Sequence, residues 1–184
     1  MEESQNVIGK FLDPAAIIAQ LDVNAGNTVV DFGCGPGYFS IPFAKIVGED
    51  GFVHALDILP QAIETVASKA KHAGLANIVA VRANLEKEKG TKLEDSIADW
   101  VILKDILFQN QKKNVIIAEV YRVLKAGGKV IVIEWNQKES PVGPEMGIRI
   151  PKADLEKMFN DQKFIIEKDI EAGHFHYGFV AVKN

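Results

Sequence analysis

The order of apolar runs predicts an α/β fold in one domain, a mostly parallel sheet with helices on both faces. Short β-branched runs alternate with longer helical patterns between residues 28 and 135. Those runs are apolar nearly throughout, as a sheet buried on both faces requires. The chain then closes on two strand-like segments only a few residues apart, a spacing that a parallel crossover cannot span.

Residues 1–27 read as a thin N-terminal cap with one plausible helix, DPAAIIAQLDV (13–23). TVVDF (28–32) is the first strand and FVHALD (52–57) the second, followed by a helical pattern at PQAIETVASKAKHA (60–73). IVAVR (78–82) and ADWVILK (98–104) are the third and fourth strands. The stretch QKKNVIIAEVYRVLK (111–125) reads as a helix that Gly127 and Gly128 stop, before the fifth strand KVIVIEW (129–135). A Gly/Pro loop, NQKESPVGPEMGIRIP (136–151), leads to a helix over Lys152–Asn160. FIIEKDIEA (164–172) and HYGFVAVK (176–183) are the last two strands, the final one antiparallel to its predecessor. The count is seven strands.

With 184 residues, 47% of them hydrophobic, the chain can bury one substantial core. A net charge of -4, with basic clusters no longer than Lys112-Lys113, argues against nucleic acid as a partner. The opening MEESQNVIGKF has no signal-peptide apolar core, and no apolar run approaches the roughly 20 residues of a membrane span. A cytoplasmic protein with no membrane partner is the expectation. Cys34 is the only cysteine, so neither a disulfide within the chain nor a thiol cluster for zinc is expected, and no carboxylate cluster suggests another metal. The oligomeric state is left open.

The stretch VVDFGCGPGYFS (29–40) holds the chemistry. It fills the turn after the first strand, which in an open parallel sheet opens onto the edge where ligands bind. Glycines at 33, 35 and 37 permit positive φ and let a ligand approach the backbone. A dinucleotide fingerprint would place its third glycine where Tyr38 stands, which disfavours a nicotinamide-dependent oxidoreductase. No Gly-Lys-Ser/Thr follows, so this is not a Walker loop. Asp31, just before the glycines, would repel a pyrophosphate and attract a cation.

At these residues the sequence resembles the class I S-adenosylmethionine-dependent methyltransferases, whose first motif is a strand ending in an acid followed by G-x-G-x-G. Asp31, Gly33, Gly35 and Gly37 match it, and the likeness runs from about Phe11 to Lys183 through ALDI (55–58), ADWVILKDILF (98–108) and EVYRVLKAGGKVIVIEW (119–135). The resemblance implies a Rossmann-like, doubly wound sheet with S-adenosyl-L-methionine as cofactor. Asp57 would accept hydrogen bonds from the ribose hydroxyls and Ile58 would offer an apolar face to adenine. Asn84, or the backbone at Leu85, would meet the adenine edge. Asp31, the turn from Gly33 through Cys34 to Tyr38, and Lys104 would surround the amino-acid end. Cys34 reads as a small packed residue rather than a nucleophile.

Methyl transfer needs positioning and exclusion of water more than an acid–base pair. Asp105, after the fourth strand, and His176, in the GHFHYG hairpin, are the candidate catalytic residues. Strand alternation puts His176 and Tyr177 on opposite faces, so the two cannot both reach the site. The loop after the fifth strand is expected to be a mobile substrate lid, with Gly143 and Gly147 as pivots and Arg149 free to hold an anionic acceptor or an acidic residue. No insertion builds a large recognition domain, and KDILF (104–108) stands where exocyclic-base methylases carry D/N-P-P-Y. A small-molecule methyl acceptor is the expectation. The alternative is a cofactor-binding module or inactive subunit of a larger methyltransferase.

Overall fold

The computed structural model describes residues 12–184. Helix α1 (Pro14–Ile18) precedes β1 (Thr28–Phe32), α2 (Ser40–Val47), β2 (Phe52–Asp57), α3 (Pro60–His72), β3 (Ile78–Arg82) and β4 (Ala98–Lys104). There follow α4 (Lys113–Val123), β5 (Leu124–Trp135), a single 3-10 turn (Met146–Ile148), α5 (Lys152–Asp161), β6 (Phe164–Ile170) and β7 (His176–Lys183). The seven strands form one sheet in the order β3-β2-β1-β4-β5-β7-β6. Strands β1 to β5 pair in parallel, and β7 runs antiparallel to both β5 and β6. The part of the predicted cap around Phe11 lies outside the described residues.

Two apolar layers cover the sheet. On one face, Ile17 and Ile18 of α1 and Phe43, Ala44 and Val47 of α2 pack with Val29, Ile102 and Ile131. On the other, Ile116, Ile117 and Val120 of α4 and Leu155 and Phe159 of α5 pack with Val30, Val101 and Val132. Each fully buried Val, Leu, Ile or Phe side chain among them contributes about 1.5–3 kcal/mol. Because strand side chains alternate, Asp31, Lys104, Trp135 and His176 share the face of Val29, Ile102, Ile133 and Val180. Glu134 and Tyr177 belong to the opposite face.

The topology decides what meets at the carboxyl edge. β1 and β4 are adjacent although β2 and β3 intervene in sequence, so the chain order reverses there and opens a crevice. The antiparallel β7 starts where β5 ends, with His176 opposite Trp135.

Some boundaries differ from expectation: the first helix stops at Ile18 rather than Val23, β6 at Ile170 rather than Ala172, and β5 starts early. There α4 ends at Val123 and the strand begins at once, because buried Leu124 pairs with Ala98 in β4. The register then slips and resumes at Trp100 opposite Lys129, so Gly127 (φ +73°) and Gly128 form a bulge in β5 rather than a helix stop. A Cβ on Gly128 would lie 2.9 Å from the Lys125 carbonyl oxygen. Among the described residues no helix is long and apolar enough to cross a membrane.

Candidate functional site

A cavity of about 920 Å3 opens at the carboxyl edge over β1 and β4. Its floor is the turn after β1, where Gly33, Gly35 and Gly37 have φ of +80°, +49° and +80°. The three glycines answer different demands. A Cβ on Gly33 would lie 2.0 Å from Ile106 Cδ1, and one on Gly37 would lie 3.0 Å from Val66 Cγ2 in α3, so both are fixed by close packing. A Cβ on Gly35 would meet nothing within 4 Å, and Gly35 lines the cavity: there the conformation and the open approach both matter. The turn is pinned to β2, with the Gly33 and Cys34 amides both donating to the Leu56 carbonyl, at 2.7 and 2.9 Å.

Asp57, at the end of β2, holds the same turn from the side. One carboxylate oxygen accepts the Gly35 amide at 2.9 Å and the other accepts the Leu59 amide at 2.9 Å. Asp57 therefore shapes the turn as well as facing the cavity. Half-exposed Ile58 and Leu59 continue its wall, and Tyr38 stands more than half exposed at the rim. Asn84 and Leu85 line the cavity on the β3 side. The Asn84 side-chain oxygen accepts the Glu86 amide at 3.0 Å, which leaves its NH2 group as the part available to a ligand.

Asp31 is buried beneath the turn, and Ser40 at the start of α2 donates its hydroxyl to the carboxylate at 2.5 Å. Burial pushes the Asp31 carboxyl up to about 7, against the Ser40 hydrogen bond and with the Asp57 charge adding to the rise. Burial, reinforced by Asp31 and Asp57, also holds the Cys34 thiol well above its ordinary range. Such a thiol stays protonated and is a poor nucleophile. Asp31, Asp57, Glu86 and Asp105 line the cavity with Lys104 as the counter-cation, a balance suited to a positively charged ligand.

The far end joins three strand ends. Lys104 forms an ion pair with its neighbour Asp105, whose φ of +56° is a conformation non-glycine residues rarely adopt. His176 places Nε2 3.3 Å from Asp105 Oδ1 and 3.4 Å from Oδ2. The Trp135 ring lies 4.3 Å from the His176 ring, and all three line the cavity. Tyr177 points to the other face, where its hydroxyl donates to the Ile150 carbonyl at 2.8 Å.

Arg149 corrects the sequence reading. It is buried, and its guanidinium is spent on its own loop: Nε donates to the Pro144 carbonyl at 3.0 Å, Nη1 to those of Asn136 and Lys138 at 3.0 and 2.8 Å, and Nη2 to Ser140 Oγ at 2.9 Å. It also lies over Trp135, 5.4 Å from the ring centroid. The fork clamps the loop and is not offered to an acceptor. Val142 and Gly143 of that loop line the cavity, and a Cβ on Gly143 would come within 2.5 Å of the Trp135 ring.

Leu12, beside Phe11 in the predicted cap, lines the cavity, whereas the contributions of Ser40 and Ile106 were not foreseen. Ser40 carried a usable signal, a hydroxyl at the first position of the helix after a strand-end acid; Ile106 carried none. Among the described residues no group of three His, Cys, Asp or Glu side chains is arranged to hold a metal ion.

Comparison with known proteins agrees with this geometry. Residues 23–177 match the family described as "Methyltransferase domain". The ubiquinone/menaquinone biosynthesis C-methyltransferase UbiE of Marinomonas sp. (strain MWYL1) is 32% identical over 124 residues, 67% of this chain and 48% of its own length. The demethylmenaquinone methyltransferase of Geobacillus sp. (strain WCH70) is 29% identical over 118 residues, 64% of this chain and 49% of its own. The chain thus spans about half the length of these curated relatives. A SAM dependent methyltransferase from Aquifex aeolicus superposes with a TM-score of 0.87 at 21% identity, over 99% of this chain and 98% of that one. The [4+2]-cyclase SpnF superposes with a TM-score of 0.78 at 16% identity, over 92% and 79%, so the fold alone does not dictate the reaction. With its strand-end acid, its three glycines and a family match over most of its length, the chain belongs to the methyltransferase domain family, among the class I S-adenosylmethionine-dependent methyltransferases.

Proposed function

We propose that this chain binds S-adenosylmethionine across the ends of β1, β2 and β3 and directs methyl transfer to a small-molecule acceptor held beneath Trp135 and the 136–151 loop. The observation that carries the proposal is Gly35. It combines a positive φ, an open cavity where a Cβ would stand, and an amide fixed by Asp57.

The donor set fits the cofactor. Asp57 lines the cavity with both oxygens anchored and lone pairs left to accept ribose hydroxyls. Buried Asp31 lies beside the turn as a countercharge for an ammonium or sulfonium. Ile58 and Leu59 offer apolar surface to a purine, and the Asn84 amide lies within the same wall. Bound there, the cofactor supplies a methyl group already activated on a sulfonium. The protein's part is to align the acceptor and exclude water.

The cavity lies within the usual range for enclosing small ligands. Ile106, Trp135 and Val142 give the acceptor end apolar walls. That character, with the names of the relatives, supports a quinone-type or similarly flat acceptor. Titration calorimetry with S-adenosylmethionine and with NAD tests the cofactor, and transfer of labelled methyl to quinols, phenols, amines and thiols tests the acceptor. Preferential NAD binding would overturn the proposal.

A further inference from the structure

We infer that His176, oriented by Asp105, is the proton acceptor of this site, and that the acceptor therefore presents a hydroxyl to it; the inference rests on the methyl-transfer reading above. Asp105 follows β4 and His176 opens β7, 71 residues later in the chain, with β5 between the two strands. They meet because β7 is antiparallel: its first residue arrives at the edge where the parallel strands end. Packing of the hairpin alone would be served by an apolar residue at 176. Instead the strand presents an imidazole against Trp135 and centres Nε2 between the two oxygens of a carboxylate.

The surroundings suit proton transfer. Asp105 Oδ1 is buried and has no hydrogen-bond partner among the described residues beyond this approach of His176. The Lys104 ammonium covers Oδ2, which leaves Oδ1 facing the imidazole. With Nε2 turned to Asp105, Nδ1 is the ring nitrogen that no described protein group hydrogen-bonds. Asp105 is held in place through backbone: its amide donates to the Ile133 carbonyl at 2.9 Å, and two residues on the Leu107 amide donates to Glu134 Oε1 at 2.7 Å. Glu134 is fully buried, with Oε2 unpartnered, and burial raises its carboxyl to about 8.

The step balances without a further reactant. The acceptor O–H bond breaks and its electron pair stays on the acceptor, which becomes the nucleophile for the methyl carbon. The proton goes to Nδ1 of His176, and the resulting imidazolium is stabilised by Asp105. The electron pair released by the methyl carbon remains on the cofactor's sulfur. The imidazolium then loses its proton to water.

The test reads the proton directly. Para-nitrophenol, whose phenol and phenolate forms absorb at different wavelengths, is added to the protein saturated with S-adenosylhomocysteine, at a pH below the solution pKa of the phenol. The expected result is a phenolate spectrum for the bound probe. His176→Asn should abolish it and Asp105→Asn weaken it, while thermal melting of both variants and the S-adenosylhomocysteine affinity of His176→Asn stay near wild type. Restoration of the band by added imidazole in His176→Ala would mark a proton acceptor rather than a packing residue. A bound probe that stays protonated, a phenolate band that survives in both Asn variants, or no binding of the probe at millimolar concentration would each overturn the inference. Failure of S-adenosylhomocysteine to bind the wild-type protein would instead overturn the cofactor reading.

Discussion

The two ends of the cavity are built by different means. The glycine-turn end is a backbone construction: left-handed residues at 33, 35 and 37, amides donating to Leu56, and one carboxylate tying the turn to β2. The opposite end is a side-chain construction that draws Lys104 and Asp105, Trp135, Arg149 and His176 from four separate stretches of chain. A backbone site tolerates few substitutions, since each residue is limited by its own φ. A side-chain site can change its contacts while the sheet beneath it stays the same. The likeness of this fold to a methyltransferase and to a cyclase fits that division.

The largest expected effect breaks the backbone end. Gly35→Val imposes a β-branched side chain at φ +49° and fills open cavity. Backbone strain should cost about 1–3 kcal/mol of stability, and S-adenosylmethionine binding should fall below detection by calorimetry. A folded variant with normal affinity would show that the turn is not a ligand floor.

Asp57→Ala comes next. Loss of hydrogen bonds to a charged group should weaken cofactor binding by about 1.5–3 kcal/mol. Because Asp57 also holds the Gly35 and Leu59 amides, thermal stability should fall in parallel. Unchanged affinity would move the ribose elsewhere.

Arg149→Ala tests the opposite end. It strips donors from the carbonyls of Asn136, Lys138 and Pro144, at a cost of about 1–3 kcal/mol. Amide exchange across residues 138–148 should quicken while cofactor affinity holds. Lysine should not rescue it, having no fork to bridge these carbonyls. Equal loss of cofactor affinity would mean that the two ends are not separable.

The smallest effect is a pH dependence. Asp31 titrates at about 7 in the folded protein against 3.8 for an ordinary aspartate, so its contribution to stability is present below 3.8 and lost as pH rises through 7. A cationic ligand favours the carboxylate. Its affinity should therefore fall by up to about tenfold per pH unit below 7, and Asp31→Asn should bind weakly with a flatter profile. A wild-type profile already flat from pH 5 to 8 would remove Asp31 as the countercharge.

What the sequence determined by itself is the part governed by local rules. Apolar runs of the right length, three glycines beside a strand-end acid and a hairpin too short for a crossover mark the sheet, its edge and the turn within a few residues of chain. Those signals arise from backbone sterics and from the period of strand and helix, which act over short distances. Only the tertiary structure decided the rest. Gly127-Gly128 looked like a helix stop because nothing nearby reveals that Leu124 pairs with Ala98. Arg149 looked free because its donors are visible in a sequence and the carbonyls that occupy them are not. His176 and Asp105 were each legible as candidates, but their meeting was not: it follows from β7 running against its neighbours, and long-range strand pairing is fixed by packing of the whole core rather than by either segment alone.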